Sequence, residues 1–288
     1  MGRGPPTRLL VSAARALCDE LLEVAVDAAR MAGALLLERS LAGVERAVGS
    51  KSSPTDLVSE ADLASEAAIR ALLAERRPED GFVGEEGGSR DGASGLAWVV
   101  DPLDGTVNFL FGIPQWCVSV AVREGSETIA GAVYDPNRDE LFTATRAGVP
   151  TMSGPQGRVE LAGPKSRAPL APLSGGEALA NAMVATGLAY GADVRRAQAK
   201  VLARLAPQVR DIRRFGSAAL DLTWTAAGRY DAYFERSVKQ WDVAAGVLVC
   251  ECAGLSVCEL ASYENLPWGI LAAPAALAEP LLALVGGP

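Results

Sequence analysis

The chain has 288 residues, 49% of them apolar and 22% charged, the composition of a folded protein with a sizeable core, and not of a disordered or fibrous one. It contains no histidine, which excludes a Ser-His-Asp or Cys-His nucleophile system, a His-ligated zinc site and an imidazole general base; carboxylates, hydroxyls, thiols, Lys, Arg or a hard metal must carry any chemistry. A formal net charge of -8, from 27 Lys plus Arg against 35 Asp plus Glu, makes nucleic acid a poor partner, and the acidic excess reads either as solubility or as a carboxylate cluster that holds cations.

Residues 1–17, with G-R-G-P-P near their start, read as a flexible leader; Arg15 interrupts the apolar run too early for a signal-peptide core. Leu22, Val26, Ala29 and Leu36 recur at helical spacing and predict an amphipathic helix over 19–39. G-S-K-S-S-P-T (49–55) reads as a polar loop, and a second helix is expected from Asp56 to about Arg77, stopped by Pro78. Strand-like runs follow at 81–84, 96–100, 117–122, 128–134 and 140–144, with turns and no helices between most of them, which suggests an antiparallel sheet. The Gly/Pro-rich segment 148–176 shows no periodicity and reads as a connector between an N-terminal half (18–147) and a C-terminal half (177–288). Beyond it, strands at 183–187 and 231–235 alternate with helices at 194–205, 217–227 and 242–253, so a layered α/β arrangement of two halves sharing a cleft is expected. The five cysteines sit mostly in apolar contexts and read as reduced, buried thiols of a cytoplasmic protein; a soft-metal site at Cys250, Cys252 and Cys258 lacks an obvious fourth ligand. No apolar run reaches a membrane span, and the C-terminal L-P-W-G-I-L-A-A-P-A-A-L-A is broken by two prolines.

The chemistry concentrates in W-V-V-D-P-L-D-G-T-V-N-F (98–109). An apolar strand delivers Asp101, Pro102 fixes the turn, and Asp104 follows before Gly105 and Thr106 open a helix. Like charges so close raise one another's pKa unless a proton or a cation intervenes. The Leu103 carbonyl adds a neutral oxygen donor, and the amides of Gly105 and Thr106 offer an adjoining anion pocket. The alternative is an Asp turn followed by an Asp cap. Glu85 and Glu86 end another strand and Asp242 heads an apolar helix, where a cap or a surface position is the plainer explanation. If Glu85, Asp101, Asp104 and Asp242 meet, their all-oxygen set suits Mg2+, Mn2+ or Ca2+.

D-P-L-D-G-T-V-N-F, preceded by G-E-E-G and followed by W-D-V-A-A-G, resembles the inositol monophosphatase family of magnesium-dependent, lithium-sensitive phosphatases. D-L-V-S-E-A-D (56–62), F-G-S-A-A-L-D-L (215–222) and D-A-Y-F-E (231–235) match it in order and spacing, and the similarity spans roughly 19–285. The resemblance implies an αβαβα five-layer sandwich of the inositol monophosphatase and fructose-bisphosphatase type, usually a homodimer. It implies one metal at Glu85, Asp101 and the Leu103 carbonyl, and a second at Asp101, Asp104 and Asp242. Two or three Mg2+ are expected, with Mn2+ as a substitute and Li+ as an inhibitor. Asp62 and Thr106 match the pair that positions the attacking water, so Thr106, Asp62, Glu85 and Asp104 are the catalytic candidates. Gly105, Thr106, Gly216, Ser217, Ala218, Glu235 and Asp242 match substrate contacts, although Glu235 also reads as a strand-end surface residue. Lys51 matches a mobile-loop lysine, or is a plain solvated one.

The implied reaction is hydrolysis of a phosphorylated polyol, inositol 1-phosphate first, with histidinol phosphate, fructose 1,6-bisphosphate, 3'-phosphoadenosine 5'-phosphate or another cyclitol phosphate as rivals. A regulatory interaction protein retaining the fold is the reading from another class. The chain departs from the family's pattern at G-V-P-T-M-S-G (148–154) and at Cys252, where glutamate is common.

Overall fold

The computed structural model describes residues 8–42, 48–50, 57–166 and 177–287. The first helix, α1 (Arg8–Ala42), starts within the expected leader. The reason is local: between Pro6 and Gly33 the chain has neither proline nor glycine to stop a helix. Leu21, Val24, Ala28, Ala32 and Leu36 form its buried stripe. Strands β1 (Val48–Ser50) and β2 (Leu57–Ser59) pair antiparallel, so α2 (Glu60–Arg76) begins later than the expected Asp56. The expected contact Lys51 lies outside the described residues, as do parts of the leader and of the 148–176 connector.

The first sheet contains β3 (Gly81–Gly84), β4 (Ser89–Arg90), β5 (Leu96–Asp104), β6 (Cys117–Glu124), β7 (Glu127–Asp135), β8 (Glu140–Thr145), β9 (Thr151–Gly154) and β10 (Gly157–Glu160), with the short α3 (Thr106–Phe111) between β5 and β6. Their order is β10-β9-β8-β7-β6-β5-β3-β4, antiparallel except for the β3–β5 pair. The β9–β10 hairpin corrects the expectation of an irregular segment from 148 onward. Four-residue strands joined by Gly154-Pro155-Gln156-Gly157 are too short to show a period, yet they extend the sheet edge.

The second sheet is mixed, in the order β12-β11-β13-β15-β14. Its strands are β11 (Met183–Thr186), β12 (Asp211–Arg213), β13 (Ala232–Arg236), β14 (Ser256–Leu260) and β15 (Gly269–Ala273). Helices α4 (Ala192–Leu205), α5 (Ala218–Ala226), α6 (Gln240–Cys252) and α7 (Ala275–Val285) complete this half. Helices α1 and α2 cover one face of the first sheet, α5 and α6 fill the space between the sheets, and α4 and α7 cover the far face of the second sheet. The result is the five-layer αβαβα sandwich.

Sandwiching explains the sequence patterns. Covered on both faces, β5 is buried at eight of its nine positions and reads as a continuous apolar run. Every residue of α5 is buried because sheets flank it on either side, which accounts for its lack of a polar stripe. Among the described residues no helix is long and apolar enough to cross a membrane.

Candidate active site

Residues three apart on a regular strand face opposite sides, so Asp101 and Asp104 need a break in β5 to share a cavity. The break is present: the β5–β6 register shifts between them, at the point where Pro102 supplies no ladder donor. Gly105 then turns the chain into α3 at φ 100°, and a Cβ there would stand 2.9 Å from the Gln115 carbonyl oxygen, so only glycine fits.

A cavity of about 140 Å³ opens at this turn, between the ends of the two sheets. Glu85, Asp101, Leu103, Asp104 and Asp242 line one part of it. Gly105, Thr106, Gly216, Ala218 and Glu235 line another part, and Leu188, Ala189, Tyr190, Arg214 and the segment Arg236–Val238, none of them expected from the sequence, complete the wall. Two expected site residues, Asp62 and Ser217, act from behind the wall. Thr106 Oγ1 lies 2.8 Å from Asp62 Oδ1 and 3.1 Å from the Leu103 carbonyl oxygen, and its one proton serves these two acceptors. Ser217 Oγ donates to Asp104 Oδ2 at 2.7 Å, where the Ala219 amide also donates at 2.7 Å. Asp242 is a helix cap as well as a wall residue, accepting the Lys239 amide at 2.7 Å. Cys252 donates to the Thr145 carbonyl and does not line the cavity.

The carboxylates strain against one another. Burial, then the charges of Glu85, Asp104 and Asp242, hold the Asp101 carboxyl well above its usual range. Burial pushes Asp104 up to about 6 despite its donors, and raises Asp242 with the charge of Asp104 adding to the effect. Glu235 rises to about 7, mainly through burial, while its Oε2 accepts the Tyr233 hydroxyl at 2.9 Å. Among the described residues no three acidic or sulfur side chains are drawn into a closed ligand cage, as expected of like charges without a cation between them. The donor set nevertheless fits a hard divalent ion: four carboxylate residues and Leu103 line a common cavity, with no imidazole to compete.

Other buried polar groups escaped the sequence reading. Asn108 Nδ2 donates to the carbonyls of Gln115 and Phe215, each at 2.7 Å, and so straps the Asp104 turn to the loop before α5. Arg236, 2% exposed, follows Glu235 and donates to the carbonyls of Ala261, Pro267, Val285 and Gly286 at 2.8–3.0 Å. Asp221 lies buried within α5, where burial and then the charge of Glu235 raise its pKa while the Tyr230 hydroxyl opposes the shift. On α2, Ser65 Oγ donates to the Pro102 carbonyl at 2.8 Å and Glu66 accepts the amides of Glu86 and Gly87. A buried face with polar residues at 62, 65 and 66 was the available signal, since a helix against a sheet otherwise presents apolar residues there.

Residues 17–285 match the model of the inositol monophosphatase family. The chain belongs to the inositol monophosphatase family. It is 42% identical over 216 residues, 73% of its length and 71% of the relative's, to inositol-1-monophosphatase SuhB of Mycobacterium tuberculosis. To the Nus factor SuhB of Xylella fastidiosa it is 40% identical over 239 residues, covering 83% and 81% of the two chains. Among solved structures, the extragenic suppressor protein suhB of Bartonella henselae superposes with a TM-score of 0.79 at 33% identity over 92% of this chain and 98% of that one. As a member of this family the protein is a phosphomonoesterase, and its acidic cavity is lined by residues from the ends of both sheets.

Proposed function

We propose that the protein hydrolyses inositol 1-phosphate to myo-inositol and phosphate with Mg2+ held by Glu85, Asp101, the Leu103 carbonyl, Asp104 and Asp242. The observation that carries this reading is one cavity with four carboxylates and the Thr106 hydroxyl on one side and Glu235 on the other. When bound there, a hard divalent ion lowers the pKa of water toward neutrality and places positive charge beside a phosphoryl group.

The chain's own residues do the rest. The Thr106 proton points to Asp62 and Leu103, which leaves the hydroxyl oxygen free to accept from an attacking water and orient it. Asp62 is completely buried, so this pair holds its geometry without competition from solvent. Ser217 and the Ala219 amide lock one oxygen of Asp104, leaving the other for the cavity. Glu235, held by Tyr233, is placed to bond ring hydroxyls of a polyol, which favours an inositol ester. The relative named Nus factor raises a second, regulatory reading; the net charge of -8 argues against direct RNA contact.

Phosphate release is measured with and without Mg2+ from inositol 1-phosphate, histidinol phosphate, fructose 1,6-bisphosphate and 3'-phosphoadenosine 5'-phosphate. The highest kcat/KM for inositol 1-phosphate, abolished by chelator, is expected. Faster turnover of a rival reassigns the substrate, and turnover of none favours the regulatory reading.

A further inference from the structure

The segment that ends β3 and carries Glu85 folds around a side chain from another element. Glu66 of α2 is 3% exposed. Its Oε2 accepts the Glu86 amide at 2.8 Å, and its Oε1 accepts the Gly87 amide at 2.7 Å. Arg70, one turn along α2, donates from Nε to Oε1 at 2.9 Å and from Nη2 to the Gly88 carbonyl at 3.0 Å, with its guanidinium 4.0 Å from the centre of the Phe82 ring. The Gly84 amide closes the loop on the Gly88 carbonyl at 3.2 Å. There is no spare room: a Cβ on Gly84 or on Gly87 would stand 2.5 Å from a Glu66 carboxylate oxygen. The carboxylate therefore fills the loop's interior and pairs with the two amides that directly follow Glu85.

We infer that Glu66 is a positioning residue for Glu85: by clamping the loop from α2, it sets the affinity of the acidic cavity for a divalent cation. The inference rests on the metal-dependent reading above and extends it to a residue that does not line the cavity. Asp62 and Ser65 on the same helix face hold Thr106 and the Pro102 carbonyl, so α2 sets the spacing between the Glu85 loop and the Asp101 turn. Because Arg70 neutralises Glu66 at 2.9 Å, the effect is geometric and not a matter of one more charge near the ion.

The test is calorimetric titration of Mn2+ into wild type and the variants Glu66→Ala, Glu66→Gln, Gly87→Ala and Leu205→Ala, with circular dichroism to verify folding. Loss of a group that orients a metal ligand weakens binding by roughly 10- to 100-fold. Glu66→Ala should fall in that range, and Gly87→Ala, which displaces the carboxylate without removing it, should follow. Glu66→Gln keeps an acceptor for only one amide and should fall between wild type and Glu66→Ala. Turnover should recover toward the wild-type kcat at saturating Mg2+, because the chemistry is intact once the ion is bound. Leu205→Ala, a cavity in the outer core, should lower stability and leave Mn2+ affinity unchanged. If the folded Glu66 and Gly87 variants bind Mn2+ as tightly as wild type while wild type binds it well, Glu66 is only a helix ion pair and the inference falls. A wild-type chain that takes up no Mn2+ overturns the metal reading together with this inference.

Discussion

Asp104→Asn should set activity against stability. The Asp104 carboxyl, 9% exposed, is held near 6 against an ordinary 3.8. Keeping it ionised above pH 7 therefore costs the metal-free fold about 3 kcal/mol, at 1.36 kcal/mol per pKa unit. The sign follows from the raised folded value: the cost is absent below about pH 4, grows as pH rises through 6, and is complete above it. Asparagine carries no charge, and its Oδ1 can keep both 2.7 Å donors, Ser217 Oγ and the Ala219 amide. The variant should thus melt higher than wild type at pH 8 in chelator, by up to roughly 5–10 °C for a chain of this size. The gap should close at pH 4, and saturating Mg2+ should narrow or reverse it by stabilising wild type through binding. Turnover should fall by more than ~100-fold, as expected when a charged group at the reacting centre is lost. Differential scanning fluorimetry at pH 4, 6 and 8, with and without Mg2+, reads every arm. A variant no more stable than wild type at pH 8, or a gap independent of pH, would refute the electrostatic reasoning.

Two further variants probe the opposite wall. A Cβ on Gly187 would fall on the Glu235 carboxyl, so Gly187→Ala should raise KM for a polyol phosphate by about tenfold, the loss of roughly one hydrogen bond, while kcat for p-nitrophenyl phosphate changes little; steady-state kinetics on the two substrates decide it. Ser237, beside the cavity at φ 73°, holds a conformation that favours glycine, so Ser237→Gly should raise unfolding stability by about 1 kcal/mol in urea titration.

The parts of the fold that followed from the sequence are those in which one physical cause dominates. The apolar run into Asp101 was readable because β5 is covered on both faces, and α5 and α6 were readable because sheets on either side demand unbroken apolar helices. The hairpin at 151–160 and the strands β14 and β15 were not, since four- and five-residue strands among Gly and Pro leave no period to detect. Helix α7 contains Pro280, which local rules count against a helix interior, and packing on the second sheet's outer face overrides them. At the site, the acidic residues that line the cavity stood out as charges at strand ends and helix starts. Glu66, Ser65, Asn108 and Arg236 did not, because each serves a backbone segment distant in sequence, and only the fold reveals the partner.

The most direct test of the account is diffraction from crystals grown with Mn2+, recorded at the manganese absorption edge. Anomalous peaks should lie within the cavity among Glu85, Asp101, Asp104 and Asp242, with those carboxylates drawn inward from their present spacing. Manganese bound only elsewhere on the surface, or a cavity left empty at saturating Mn2+, would contradict the claim that these four side chains hold the ion.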